Sequence, residues 1–324
     1  MVRIEDQLGR RFEKLRVSLL NSCNFACEYC TLETIDTDIY NNLQWAKNED
    51  ILPVSQILQL ILAVHAINPL KSIRLTGGEP LLYPHLPFLI AELKKAGIND
   101  LRLTTNGFYL AGRIEKLKAS GLNSINISID AIQPEVLRKI SRHRNAEKVF
   151  EGIDAALKSE LNVKLNMVVM KGRNENEILP LLEYAAHKEI KIRYLELMQM
   201  GHLYHTQNPF FFSEKEILTT IKKQYPIRQL PRRASETARY WSAGANRVFG
   251  IIANESTPFC HDCNRLRMDS RGVFYGCLSN SRGKPFQTYL NNQQKLADEL
   301  KQLLLLKQPV RFKGSKLSMR NIGG

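Results

Sequence analysis

From about Lys14 to Met198, short apolar, β-branched runs alternate with stretches whose apolar residues recur at helical spacing. The runs cover 15–20, 72–76, 101–104, 124–129, 163–169 and 192–197, and the helical stretches cover 55–67, 86–96, 110–120, 145–159 and 175–188. Gly97 and Gly121 fall just beyond two of the helical stretches, where a residue of positive φ commonly stops a helix. Such alternation predicts parallel βα units, and right-handed crossovers curl them toward a barrel. Six units fall two short of the eight-fold barrel, so the expected fold is α/β, an open, partial (six-unit) parallel βα barrel.

Polar, cysteine and glycine positions gather at one end of these units. Cys23, Cys27 and Cys30 follow the first run, Gly77-Gly78-Glu79-Pro80 the second and Thr104-Thr105-Asn106-Gly107 the third. Ser128 and Asp130 close the fourth, Lys164 opens the fifth, and Glu196 and Met198 close the sixth. In parallel barrels that end carries the chemistry. The rhythm breaks beyond Gly201. Residues 213–223 read as a helix with Ser213 as N-cap and Glu216 completing a capping box. Residues 228–239 read as a polar connecting segment, 247–253, 267–269 and 273–275 as short strands, and 293–306 as a final amphipathic helix. The expected division is a barrel over 1–215 and a C-terminal cluster-binding and substrate domain over 216–324.

The six cysteines form two triplets, CxxxCxxC at Cys23, Cys27 and Cys30, and CxxC at Cys260 and Cys263 with Cys277 after thirteen intervening residues. Three thiolates can hold three irons of a 4Fe–4S cube and leave the fourth iron open to a ligand that is not protein. Two rivals stand beside this. A disulfide framework fits poorly, because the opening MVRIEDQLGRRFEKL is charged and lacks an apolar leader, which points to a reducing cytoplasm. Structural zinc wants four closed ligands; each triplet offers three, and His261 is awkwardly placed inside its own CxxC pair. No apolar run is long enough to span a bilayer. The formal net charge of +14 favours an anionic partner, but the basic residues are scattered, a pattern of solvated surface rather than a nucleic-acid stripe.

The string from Cys23 to Cys30, with GGEP after the next strand, resembles the radical S-adenosylmethionine superfamily. The blocks LRVSLLNSCNFACEYC, IRLTGGEPLL, LTTNG, INISIDA and PFCHDCNRLR, with the terminal Gly323-Gly324, occur in the order of the GTP 3′,8-cyclase family. The resemblance implies two 4Fe–4S clusters, on Cys23, Cys27 and Cys30 and on Cys260, Cys263 and Cys277, with S-adenosyl-L-methionine at the first. It places Tyr29, Gly78, Ser128 and Met198 against S-adenosylmethionine. Arg16, Arg74, Thr104, Lys164, Arg193, Arg265 and Arg267 fall against GTP, whose phosphates suit guanidinium forks. Arg265, Arg267, Gly323 and Gly324 become the catalytic positions, the last two on a tail reaching into the site. The implied reaction converts GTP to 3′,8-cyclo-7,8-dihydro-GTP in molybdenum-cofactor biosynthesis. Its implied partners are an electron donor such as a flavodoxin or ferredoxin and a downstream cyclic pyranopterin monophosphate synthase, with no membrane and no nucleic acid. A homodimer is left open.

Residues 31–53 depart from that family pattern, with Thr31-Leu32 where the family usually has a proline and with a poor match around Asp36, Tyr40 and Trp45. The match is also poor over 228–245. Two other functions stay on the page: a different radical S-adenosylmethionine enzyme with an auxiliary cluster, acting on a peptide or another nucleotide, and a zinc-holding nucleic-acid-binding protein.

Overall fold

A computed structural model describes residues 4–32, 51–204 and 209–322 of the 324-residue chain. Gly323, Gly324 and most of the divergent 31–53 loop, including Asp36, Tyr40 and Trp45, lie outside the described residues.

Six strands, β1 (Lys14–Ser18), β2 (Ser72–Thr76), β3 (Asp100–Thr105), β4 (Ser124–Ser128), β5 (Asn162–Val169) and β6 (Lys191–Glu196), pair in sequence order, all parallel. Each falls within about two residues of its expected place. Their connections carry α1 (Val54–Ile67), α2 (Leu86–Lys95), α3 (Ile114–Ala119), α4 (Pro134–Ser141), α5 (Lys148–Lys158) and α6 (Ile178–His187). Of these α4 was not expected. Gln133-Pro134 opens it, proline being well suited to a first helical turn. Gly97 and Gly121 do take positive φ, +88° and +107°, just beyond α2 and α3. The capping box of α7 (Glu214–Lys222) is present, with Ser213 and Glu216 bonding each other's backbone N–H.

The C-terminal strands do not build a separate sheet. β9 (Arg247–Ile252) adds parallel to β6, and β10 (Arg265–Met268) adds parallel to β1, so eight parallel strands stand side by side. The antiparallel strands β7 (Ile227–Gln229) and β8 (Arg239–Ala243) extend the β9 edge. β11 (Val273–Tyr275) and β12 (Lys284–Pro285) extend the β10 edge. The sheet thus runs from β12 to β7 without closing among the described residues, the partial barrel in question. The segment taken for a connector is therefore bracketed by two strands, β7 and β8. α8 (Gln293–Leu305) and the short α9 (Met319–Ile322) complete the chain.

Parallel strands covered on both faces normally read as continuous apolar runs. These alternate instead. Leu15, Val17, Ile73, Leu75, Leu101, Leu103, Ile125, Ile127, Leu165 and Ile192 are buried with the helix side chains Ile57, Leu60, Leu89, Leu117, Ile153 and Leu181 in one core. The intervening positions are Arg16, Arg74, Arg102, Thr104, Asn126, Lys164, Asn166 and Arg193. Strand side chains alternate between faces, so the concave face is polar and cationic. It is a lumen for a charged ligand.

Candidate active site

The two triplets lie at opposite ends of the barrel. Cys23, Cys27 and Cys30 follow β1, at the C-terminal ends of the parallel strands. Cys260 and Cys263 precede β10, which runs parallel to β1, and so stand at the N-terminal ends. Cys277 follows β11, which runs antiparallel to β10 and returns the chain to that same end. Among the described residues all six cysteines are free thiols. Nor, among them, do three or more His, Cys, Asp or Glu side chains converge tightly enough to grip a single ion. Mononuclear zinc would require four ligands within about 2.3 Å of one point, and His261 is exposed.

The first loop is shaped by tight backbone packing. Cys30 N donates to Cys27 O at 2.8 Å, curling the CxxC turn. Gly78 N donates to Leu20 O at 2.7 Å, and Glu79 N to Ser22 O at 2.8 Å. A Cβ at Gly78 would stand 2.0 Å from Ser22 O, and one at Gly77 would stand 2.7 Å from Leu20 O. The glycine pair is thus required by the chain leading into Cys23. Buried Glu79 accepts from Thr105 Oγ1 at 2.6 Å and Asn106 N at 2.7 Å, which ties the GGEP turn to the TTNG turn. Burial raises its carboxyl to about 7. Asn106 Nδ2 donates to Asn24 Oδ1 at 2.8 Å, while Asn24 Nδ2 is buried without a partner inside the cysteine loop. An orphaned donor there fits an acceptor-rich group such as cluster sulfide. Tyr29 donates its hydroxyl to Asp130 Oδ2 at 2.9 Å. Burial, then Glu79, pushes the Cys23 thiol up to about 12, and burial pushes Cys30 up to about 11. Such thiols ionise readily only against a bound cationic centre. Ser128 sits at the end of β4, level with Asn166.

The second loop is held by cations. Arg265 reaches Cys263 Sγ at 3.1 Å and Thr237 Oγ1 at 3.2 Å, and its guanidinium lies 5.0 Å from the Phe259 ring centroid. Lys307 Nζ donates to Arg265 O and Gly276 O at 3.0 and 2.8 Å. Burial alone would raise the Cys263 thiol, but Arg265 and Lys307 overcome it and bring it down to about 5. Arg10 donates to Cys260 O at 2.5 Å. Arg232 grips Asp262 through both carboxylate oxygens, at 2.7 and 2.9 Å, and Ser235 N adds a third bond at 2.9 Å. The supposed connector is therefore a strap across the CxxC turn.

Between the two ends lies a cavity of about 240 Å³. Arg16, Arg74, Thr104, Lys164, Arg193, Arg265, Arg267 and Met198 all line it, together with Cys260, Cys263 and Cys277. Tyr29, Gly78 and Ser128 do not; Tyr29 lies within the first loop, Gly78 bonds the chain leading into it, and Ser128 ends β4. Sequence reasoning missed Lys14, Arg102, Asn126, Asn166, Tyr240 and Lys307 on the same wall. The inward alternation along each strand could have found the first four. Tyr240 and Lys307 arrive through edge pairing and the tail and leave no such signal. Burial presses the Arg16 guanidinium well down, and after burial come Arg267, Arg74, Arg265 and Arg193, every one of them a cation. Burial followed by Arg193, Lys191 and Arg102 lowers Lys164 to about 8. Crowded, desolvated cations of this kind demand a polyanion.

The tail docks along the same interior as far as it is described. Ser18 Oγ donates to Arg320 O at 3.3 Å, Arg320 Nε to Asn21 O at 3.1 Å, and Arg267 to Ile322 O at 3.1 Å. Ile322 is fully buried and Met319 lines the cavity.

Comparison with known proteins agrees with this architecture. Residues 17–185 match the Radical SAM superfamily, and residues 190–313 match Molybdenum Cofactor Synthesis C. GTP 3′,8-cyclases of Staphylococcus aureus strains JH9 and Newman are 40% identical over 283 residues, covering 85% of this chain and 81% of theirs. In fold, the chain resembles Streptococcus suis SuiB bound to S-adenosylmethionine, with a TM-score of 0.63 at 13% identity over 91% of this chain and 67% of that one. SuiB bound to its precursor peptide SuiA gives a TM-score of 0.60 at 13% identity, over 92% and 66%. At that identity the likeness is one of fold alone, whereas the cyclase likeness spans both halves of the chain. The chain belongs to the GTP 3′,8-cyclase family of the radical S-adenosylmethionine superfamily.

Proposed function

We propose that this protein converts GTP to 3′,8-cyclo-7,8-dihydro-GTP in molybdenum-cofactor biosynthesis, using two 4Fe–4S clusters and S-adenosylmethionine. One observation carries the proposal: a cation-lined cavity inside the barrel is walled by Cys260, Cys263 and Cys277, while Cys23, Cys27 and Cys30 stand at the opposite end of the same strands. The strands between them, five residues at about 3.3 Å each, separate the ends by about 17 Å, room for a cofactor and a nucleotide in series.

In this reading Cys23, Cys27 and Cys30 hold the first cluster, with Tyr29, Gly78, Ser128 and Met198 around S-adenosylmethionine. Cys260, Cys263 and Cys277 would hold the second, which would bind the guanine. When bound, the first cluster and S-adenosylmethionine supply hydrogen-atom abstraction at ribose C3′, after which C3′ bonds guanine C8. Arg16, Arg74, Thr104, Lys164 and Arg193 grip the nucleotide and its phosphates, fixing C3′ toward the first loop. Arg265 and Arg267 orient the base end, and Gly323 and Gly324 join them as catalytic positions. The barrel over 1–215 and the cluster and substrate part over 216–324 then meet at the ligand. A reducing cytoplasm, a flavodoxin or ferredoxin donor and a cyclic pyranopterin monophosphate synthase complete the setting. Among the described residues no helix is long and apolar enough to cross a membrane.

The depressed Lys164 gives this reading a pH signature. Below about 8 its ammonium attracts phosphate; above that it loses its proton and the attraction. GTP affinity, followed by calorimetry from pH 6.5 to 9.5 (about three units), should therefore fall as pH rises through 8, by roughly tenfold per unit at the steepest. Lys164→Arg should flatten the profile, because guanidinium keeps its charge. An unchanged profile in the variant would remove Lys164 from the phosphate site.

A further inference from the structure

The outer surface over the first cysteine loop carries a charge concentration that substrate binding does not use. Residues 138–148 read Arg-Lys-Ile-Ser-Arg-His-Arg-Asn-Ala-Glu-Lys, five Lys or Arg against one Glu. That one acid, Glu147, stands 3.6 Å from Arg138. The stretch runs from the last turns of α4 to the start of α5, and it is built directly onto the cysteine loop. Ala26 N donates to Ser141 O and Glu28 N to Ile140 O, both at 3.0 Å. Arg142 takes positive φ, +52°, and turns its guanidinium onto Thr31 O at 3.2 Å. Lys139, Arg144 and Lys148 are left exposed on the outer side.

A thin aromatic layer lies between that surface and the cysteines. Phe25, between Cys23 and Cys27, has its ring 5.0 Å from the His143 ring, which is 4.6 Å from Phe108. Lys148 Nζ lies 5.4 Å from the Phe108 centroid. The nucleotide cavity lies on the other side of the loop, inside the barrel. A redox partner approaching over 138–148 would come within one layer of side chains of Cys23 and Cys27 without crossing the substrate.

We infer that the 138–148 surface is the docking site of an acidic one-electron donor protein. This rests on the first loop holding a cluster. The donor gives up one electron and the cluster gains it, so the exchange balances without a further reagent. The chemistry that recognises this face is a carboxylate-rich rim around an exposed redox group, as on a flavodoxin. Electron-transfer encounters are small, and charge complementarity sets their rate and salt dependence more than buried area does.

The test uses the full chain, reconstituted anaerobically, with a bacterial flavodoxin as probe. Binding is followed by calorimetry at low and high salt, hydrogen exchange is mapped on the complex, and cluster reduction is timed with flavodoxin hydroquinone and, separately, with dithionite. The triple variant Lys139→Glu, Arg144→Glu, Lys148→Glu should bind flavodoxin about tenfold more weakly at low salt and converge with wild type at high salt. Its reduction by flavodoxin should slow by a similar factor, while reduction by dithionite stays at the wild-type rate. Flavodoxin should protect amides within 138–148 of the wild-type protein. Unchanged flavodoxin affinity in the variant, or protection mapped elsewhere, would overturn the docking site. Wild-type protein that takes up no iron at the first loop would instead overturn the functional reading beneath it.

Discussion

Cys27→Ala should abolish S-adenosylmethionine cleavage, whereas Cys263→Ala should leave uncoupled cleavage running and stop the formation of cyclised product. The split follows from the placement of the loops. The first triplet stands at the strand C-terminal ends beside Tyr29 and the glycine turn, and the second stands at the other end of the strands, on the cavity wall among its cations. All six cysteines of the chain belong to the two triplets, so neither loop has a spare thiolate to replace a lost one. Each loop should therefore lose its cluster outright. Wild-type protein should carry about eight irons and each variant about four. Quantifying 5′-deoxyadenosine and cyclised nucleotide in parallel reads the split. Loss of cleavage in Cys263→Ala at an intact first cluster would mean that the two ends are not separable.

The second large effect is expected at Arg267. Its guanidinium lines the cavity, is 8% exposed and holds Ile322 O at 3.1 Å, so it joins the substrate wall to the tail. Removing a buried charge-assisted contact costs about 2 kcal/mol, roughly thirtyfold in binding. Arg267→Ala should therefore lose cyclised product by at least that factor while its iron content and its uncoupled cleavage stay near wild type. Arg265→Ala should behave similarly, with some loss of second-cluster stability, because Arg265 also touches Cys263 Sγ. Better turnover of ATP or a peptide than of GTP by wild-type protein would show that these arginines read a different ligand.

The barrel was legible because its signals are local. Period-2 runs, helical periodicity, the glycines at 97 and 121 and the Ser213–Glu216 box each settle an element within a few residues of itself. The C-terminal part was less legible for a physical reason. Which edge a strand joins is decided by tertiary packing, so nothing in Arg247–Ile252 announces a partner in β6, and nothing in Arg265–Met268 announces β1. That is why the second triplet's position at the opposite end could not be read from spacing. The same lack of a local signal hid the strap formed by Arg232 and Asp262, whose meaning lies in a contact across thirty residues. The cysteine triplets were read from their spacing, and seven residues that line the cavity came through motif resemblance. Arg102, level with Arg74 in the next strand, was passed over although its alternation is the same. Gly78 was placed against S-adenosylmethionine by resemblance, and in the structure Gly77 and Gly78 make room for Leu20–Ser22.

The central claim is that the cavity between the two loops turns over GTP. It is tested most directly by incubating reconstituted protein anaerobically with GTP, S-adenosylmethionine and a reductant, and determining the product by mass spectrometry and NMR. The account predicts a product isomeric with GTP, carrying a new bond between C3′ and C8, formed together with 5′-deoxyadenosine. Production of 5′-deoxyadenosine with GTP recovered unchanged, from protein holding both clusters, would contradict it.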